Sequence, residues 1–290
     1  MINNYIIHLC ILICIYAILA ASLNLAVGYA GLLNLGHIAF FGVGAYTSAL
    51  LVLAGVPFPI AFIAAGLFAA VFGYFLILGT YQLKGDYLAL ATLGFSFVVS
   101  SVMLNWTSLT RGPLGIPGIP KPNLFGLIIK SNTGFLIFAA FICAVTYFVI
   151  WRLAKSSYGT VLQALRDDEI GLKVLGKNTF KLKWECMAMS AFFAGIAGSL
   201  FAHYISYIDP SSFTLSEIIL VFTIVIVGGL VSLRGSFIGT VLILLVPEAL
   251  RFLSLPSSVL GPMRQIIYAL ILLAILYTRP RGLLGEVDLE

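Results

Sequence analysis

Long apolar runs alternate with short polar interruptions along the whole chain. Windows of about 19 residues pick out nine apolar segments: Tyr5–Val27, His37–Ala54, Phe58–Gly79, Tyr87–Leu104, Gly134–Leu153, Met187–Ile208, Glu217–Val231, Phe237–Leu253 and Met263–Tyr277. Unbroken runs of this length predict helices that cross a bilayer, because hydrocarbon offers no partner for backbone polar groups and a helix satisfies its own. A transmembrane barrel would instead alternate apolar with polar positions. The predicted fold class is therefore all-α, a polytopic transmembrane helical bundle of about nine spans, within eight to ten, forming one domain over residues 1–290. Glu217–Val231 falls short of the roughly 17–25 residues of a full span, so some helices are expected to be broken or re-entrant. Met1-Ile2-Asn3-Asn4 lacks the basic region of a signal peptide, so the first run reads as an uncleaved helix.

The polar interruptions set the orientation. The longest, Ala154–Cys186, carries Lys155, Arg166, Lys173, Lys177, Lys181 and Lys183; basic loops stay on the cytoplasmic side, so residues 154–186 are expected inside. Alternation then places Lys84, Arg152, Arg234, Arg279 and Arg281 inside as well, and Arg111, Lys121, Lys130, Arg251 and Arg264 outside. The amino terminus falls outside and the carboxyl terminus inside. The external loop, residues 105–133, contains RGPLGIPGIPKP (Arg111–Pro122), whose prolines and glycines predict a semi-rigid shaped surface rather than a helix.

Composition narrows the chemistry. The chain is 61% apolar and 9% charged with a mean hydropathy of +1.10, against roughly 45–50% and roughly 25% in soluble domains. The net charge of +5 follows from orientation, and no basic cluster interleaved with aromatics suggests nucleic acid. Cys10, Cys14, Cys143 and Cys186 form no CxxC pair, and His8, His37 and His203 are scattered, so no metal site is predicted. No two carboxylates and no nucleophile–base arrangement suggest catalysis.

Two regions concentrate candidate function. GYAGLLNLGHIAFFGVGAY (Gly28–Tyr46) places Gly31, Gly42 and Gly44 with Asn34 and His37 at membrane depth. Such glycines allow a broken helix and close packing, and buried polar groups there mark a translocation path or gate. Glu248, beside Pro247 in an apolar run, is a further path candidate, whereas Asp86 and Glu217 read as helix-start carboxylates. Gly31-Leu32-Leu33-Asn34-Leu35 is echoed by Gly229-Leu230-Val231-Ser232-Leu233, a weak internal repeat.

The second region is SSYGTVLQALRDDEIGLKVLGKNTFKLK (Ser156–Lys183). Val161, Leu165, Leu172 and Leu175 recur at helical spacing and Gly171 and Gly176 interrupt it, predicting two short amphipathic helices that dock on a partner or the bilayer. The acidic Asp167-Asp168-Glu169 argues against an anionic bilayer surface. Gly171–Lys177 mimics the GxxxxGK of a phosphate loop. However, Asn178 stands where Ser or Thr would hold magnesium, and no strand precedes it, so nucleotide binding is not expected in this chain.

These blocks resemble one family. GYAGLLNLGHIAFFGVGAY, LKGDYLALATLGF (Leu83–Phe95), TRGPLGIPGIP (Thr110–Pro120), YGTVLQALRDDEIGLKVLGKN (Tyr158–Asn178), SAFFAGIAGSLFAHY (Ser190–Tyr204), VGGLVSLRGSFIG (Val227–Gly239) and RPRGLLG (Arg279–Gly285) look like the membrane permeases of ABC importers for branched-chain amino acids, LivM-type rather than LivH-type. The resemblance implies the ABC importer permease fold in a bacterial inner membrane. It also implies a non-catalytic chain, a second LivH-type permease, two ATP-binding subunits that hold ATP and Mg, and a periplasmic or extracellular solute-binding protein. Leu165, Arg166, Asp167, Asp168, Glu169, Gly171, Leu172 and Gly176 would belong to the coupling loop that meets the ATP-binding subunit. Related permeases carry urea, short amides and other amino acids, which an apolar path does not separate from leucine. An ion-coupled secondary transporter would have only Glu248 and His37 to work with.

Overall fold

The computed structural model describes residues 2–124, 127–129, 131–251, 257–279 and 281–285. Each of the nine apolar segments is helical through its middle, but Tyr207–Ile208 at the end of the sixth forms a short strand and Gly229–Val231 at the end of the seventh lies beyond its helix. Six helical stretches are long and apolar enough to cross a membrane: Asn4–Tyr29, Phe58–Thr80, Gly85–Asn105, Asn132–Ala154, Thr179–Ile205 and Pro210–Gly228; His37–Leu53, Leu233–Val246 and Gln265–Ile275 are shorter apolar helices. In chain order the helices are α1 (Ile2–Asn24), which runs into a π-helical turn at Leu25–Tyr29, α2 (His37–Leu53), α3 (Phe58–Thr80), α4 (Gly85–Asn105) and the short α5 (Thr107–Thr110). After them come α6 (Asn132–Ala154), α7 (Ser157–Asp167), α8 (Glu169–Val174), α9 (Thr179–Ile205), α10 (Leu215–Gly228), α11 (Leu233–Arg251) and α12 (Ser257–Thr278).

Local chemistry sets the boundaries. Ser131 accepts the Gly134 amide to start α6, and Asn178 accepts the Lys181 amide to start α9, as short polar side chains do at helix N-termini. The Asn178 cap carries α9 eight residues ahead of the apolar run that begins at Met187. The polar stretch expected over 154–186 is thereby shortened at its end, and Lys181, Lys183 and Glu185 ride on the helix.

The centre of the bundle is α9, packed chiefly against α2 and α3, while α1 lies against α6, α9, α10 and α11. A Cβ on Gly198 or Gly44 would collide with the backbone of Phe41 or Gly195 respectively, so the α2–α9 crossing depends on residues without side chains. Outward faces are apolar: Ile63, Phe68 and Phe75 on α3 and Ile137, Phe141 and Phe148 on α6 are exposed, as lipid contact requires.

The bundle has two distinct ends. At one, Arg166 bonds Gly28, Lys84 meets Glu169, Asn24 meets Gly229 and Ser232, and the Leu283 and Leu284 amides donate to Val227 and Gly228. These are the segments assigned to the inside from their basic residues. At the other end, Ile116–Pro117 pairs antiparallel with Tyr207–Ile208. The Ile119 amide donates to Ser206 there, and Pro120 and Lys121 share a cavity with Val56 and Pro57. Arg111, at φ 61, and the glycines at 112, 115 and 118, all at positive φ, give the loop after α4 its tight turns.

Candidate functional site

The end expected on the inside is built around α7 and α8. Leu162 and Leu165 on α7 and Leu172 on α8 are buried, which seats the loop on the bundle. Asp168, between the two helices, uses one carboxylate oxygen to accept the amides of Ile170 (3.0 Å) and Gly171 (2.9 Å). Gly171 is needed because a Cβ there would lie 2.6 Å from the other carboxylate oxygen. Gly176, at φ +76, ends the turn after α8.

Glu169 is the hub. Its carboxylate meets Lys84 (3.1 Å), Lys173 (3.0 Å) and Lys183 (3.0 Å), and accepts the Thr179 hydroxyl. Burial alone would raise its carboxyl, but hydrogen bonds from Lys173, Lys183 and Lys84 outweigh that and hold it at about 2, against an ordinary 4.5. Lys183 also donates to the Tyr81 carbonyl at 3.0 Å, so one cluster ties α8 to α9 and to the ends of α3 and α4. Arg166 reaches the other way: one guanidinium nitrogen donates to the Gly28 carbonyl at 2.9 Å and two others engage Asp167 at 2.8 Å. Its side chain lies over Gly31, where a Cβ would stand 2.6 Å from Arg166 Cγ. A cavity of about 270 Å3 is lined by Gly31, Lys84, Arg166, Asp168 and Glu169 among others, so the first path candidate and the loop candidates meet at one place.

Deeper in, the chain is non-helical between the π-turn and α2, and Asn34 and His37 fill this break. Asn34 Oδ1 accepts the Gly36 amide (3.0 Å), while its Nδ2 lies 3.3 Å from the Met187 sulfur and 3.5 Å from His37 Nδ1. His37 Nε2 lies 2.9 Å from the Ser22 hydroxyl, which donates to the Leu19 carbonyl. Thr92 of α4 bonds the Leu33 carbonyl and the Leu35 amide. Both Asn34 and His37 are fully enclosed, and the partners present assign His37 the tautomer protonated at Nε2. In this conformation they join α1 and α9 across a helix break, which Thr92 ties to α4. Gly42 sits against Met103 and Phe213, and Gly44 at the α2–α9 crossing, both packing positions. Glu248 lies on α11, but its side chain is outside the described residues, as are those of Arg251 and Arg264; Lys130 lies outside them altogether.

The second of the two echoed segments meets the end of α1 and its π-helical turn. Asn24 accepts the Val231 amide and donates to Ser236 (2.7 Å) and Ser232, and Tyr29 donates to the Val231 carbonyl (2.7 Å). Val231, at φ 65, adopts a conformation costly for a branched residue, held by these two partners. Gly31 and Gly229 both take positive φ, 67 and 107, just before a new helix. The closing segment, Arg279–Gly285, packs its glycines on Gly229.

One reading from sequence changes here. The Asp167-Asp168-Glu169 run is not a free acidic surface: Asp168 is spent on capping and Glu169 is outnumbered by lysines, which overturns its use as an argument against an anionic bilayer. Asp86 and Glu217 stand in the first turns of α4 and α10, as helix-start carboxylates; neither helix start shows a side-chain capping hydrogen bond, and Glu217 accepts the Tyr16 hydroxyl at 2.7 Å. Sequence reasoning passed over Ile170 and Val174 and counted Leu175 with the apolar stripe of Leu165 and Leu172; the three are 67%, 82% and 77% exposed on the outer face of α8 and its turn. Their apolar character at the most polar stretch of the chain was the available signal. Among the described residues no group of three or more His, Cys, Asp or Glu could hold a metal ion.

The profile of the family described as branched-chain amino acid transport system / permease component matches residues 5–276. The LivM permease protein of the high-affinity branched-chain amino acid transport system from Salmonella typhimurium is 39% identical over 82% of this chain and 61% of that protein, and its Escherichia coli counterpart is 38% identical over the same shares. The chain thus spans under two thirds of the length of these relatives. A probable LivM from Methanocaldococcus jannaschii is 26% identical over 94% of this chain and 91% of its own, and the LivH permease of Salmonella typhimurium is 26% identical over 95% and 92%. No solved structure matches. With two buried polar joints, a lysine-clamped loop and a helical membrane bundle over the matched length, the chain belongs to the family of branched-chain amino acid transport permeases, on the LivM side of it.

Proposed function

We propose that this chain is the LivM-type permease subunit of an ATP-driven importer in a bacterial inner membrane, crossing it nine times and carrying branched-chain or other hydrophobic amino acids inward. Its partners would be a LivH-type permease, two ATP-binding subunits holding ATP and Mg, and an external solute-binding protein. The observation that carries the reading is the exposed apolar face of Ile170, Val174 and Leu175 on a helix fastened by Glu169 to its lysines. An apolar face fits a groove on another protein. The nine crossings are supported by the two ends of the bundle, where segments of alternating assignment gather.

A route for coupling follows. Motion of α8 pulls Arg166, Arg166 holds Gly28 and lies over Gly31, and the break beyond them is pinned by Asn34 and His37. A two-state rearrangement there would reorient α2 without any catalytic residue in this chain. The LivM names of the relatives favour branched-chain solutes over urea or short amides.

The test is co-purification of the tagged chain from cells expressing the whole importer. Val174→Glu with Ile170→Glu is expected to release the ATP-binding subunits and abolish ATP-driven leucine uptake while the second permease stays bound. Retained ATP-binding subunits with full uptake, or uptake into vesicles without ATP, would overturn the proposal.

A further inference from the structure

His203 lies in the last turn of α9, at the end expected to face outside, and it is fully buried. Its Nδ1 is 2.7 Å from the Pro120 carbonyl oxygen. A carbonyl accepts and does not donate, so Nδ1 carries the ring proton and Nε2 is left as an acceptor. The Ser48 hydroxyl of α2, 2.9 Å away, therefore donates to Nε2, and Ser48 in turn accepts the Ser199 hydroxyl of α9 at 2.6 Å. The bonds run one way, from Ser199 to Pro120, and both ring nitrogens are satisfied. Phe58, at the start of α3, meets the ring edge to face at 4.8 Å and holds it from the side. One imidazole thus gathers α2, α3 and α9 and fastens the loop after α4 to them.

The same loop is joined to the chain beyond α9 at two further points, the Ile119 amide on the Ser206 carbonyl at 3.2 Å and the pairing of Ile116–Pro117 with Tyr207–Ile208. Both lie past the helix end, where Ser206 turns the chain at φ 61; the His203 bond is made from within the helix. Pro117, Pro120 and Pro122 stiffen the loop, so a bond at Pro120 positions its neighbours too. The opposite end of α9 carries Lys183, fixed between Glu169 of α8 and the Tyr81 carbonyl. The 27 residues of α9 span about 40 Å, and a helix fastened at both ends by buried polar bonds carries a displacement from one to the other. We propose that His203 is the positioning residue that makes this loop move with α9, so that a solute-binding protein settling on the loop is felt at the Glu169–Lys183 cluster. The latch stands on the geometry alone, and the transmission rests on the importer reading given above.

Two substitutions separate a latch from a space filler. His203→Asn keeps an amide where Nδ1 stands and still donates to Pro120, whereas His203→Gln places its amide where Nε2 stands and meets Ser48 instead. A residue that only fills space would make the shorter Asn the worse variant, since it leaves the larger void; a latch reverses that order at the loop. In hydrogen exchange of the full chain in detergent, the peptide carrying Gly118, Ile119 and Lys121 should exchange about five-fold faster in His203→Gln than in the wild type, the worth of one hydrogen bond, and near the wild-type rate in His203→Asn. Unchanged exchange in His203→Gln, or faster exchange in His203→Asn than in His203→Gln, would overturn the latch whatever the chain transports. In the assembled importer, the ratio of ATP hydrolysis with solute-loaded binding protein to hydrolysis without it should fall about five-fold in His203→Gln and recover in His203→Asn. A loosened loop with an unchanged ratio would overturn the transmission along α9. Solute uptake that needs no ATP would refute the importer reading and the transmission with it, while the exchange result still decides the latch.

Discussion

A single carboxylate organises the inner end, and its environment makes its contribution pH-dependent. Glu169 titrates at about 2 when folded, against an ordinary 4.5. A lowered folded value means that its stabilisation is fully present above about pH 4.5 and is lost as pH falls toward 2. Glu169→Gln should therefore loosen α8 by about 2 kcal/mol at neutral pH, because Lys183 would keep its charge while nearly enclosed. Hydrogen exchange of the α8 amides checks this. Faster exchange is expected in the variant at pH 7, with the acid-induced loosening of the wild type absent from it; unchanged protection would show that Lys183 finds another partner. Glu169 was visible in the sequence as an acid in a helical run with Lys173 four residues on, but Lys84 and Lys183 come from the start of α4 and from α9, which no spacing rule joins to it.

At the scale of elements, the bundle is set by where backbones approach each other. The α2–α9 crossing leaves no room for a side chain at Gly198, whose Cβ would strike the Phe41 backbone, whereas nothing lies within 4 Å of a Cβ at Gly79 on the open face of α3. Gly198→Leu is expected to destabilise the fold by about 3 kcal/mol through overpacking. Gly79→Ala should be neutral or stabilise by up to about 1 kcal/mol through helix propensity. Thermal unfolding in detergent separates the two, and similar melting temperatures would refute the close crossing. Helix existence and type were readable from apolar run length, and so were the amphipathic α7 and α8. The early start of α9 was not read from hydropathy, because the Asn178 cap extends the helix through residues that a hydropathy window counts as polar. The glycines of Gly28–Tyr46 were legible as a group, yet only packing separates Gly31, which accommodates Arg166, from Gly44, which accommodates α9.

For the whole molecule, the two ends fix orientation once one of them is assigned. In a background lacking the four native cysteines, Lys155→Cys should react with a membrane-impermeant maleimide only from the cytoplasmic side and Leu114→Cys only from outside; labelling of both from the same side would reverse or break the alternation. Both positions are exposed, so accessibility is not the limiting step. The two ends are also unlike in construction. One is a turn-rich loop clipped to the Tyr207–Ile208 strand and to His203, whose ring bonds both Ser48 and Pro120, whereas the other is a pair of short helices clamped by lysines.

Apolar runs alone determined that this chain is a membrane helix bundle, because hydrocarbon admits few other ways to satisfy a backbone. The asymmetry of its lysines and arginines likewise set which loops gather together, since charge is costly to translocate. Tertiary structure alone decided which polar residues are structural and which are presented. Asp168 and Glu169 look alike in sequence to an exposed acid, and Ile170 and Val174 look alike to a buried apolar residue. Their roles are exchanged by long-range partners: Lys84 and Lys183 draw the carboxylate of Glu169 inward, and the turn capped by Asp168 leaves the apolar face of α8 pointing out.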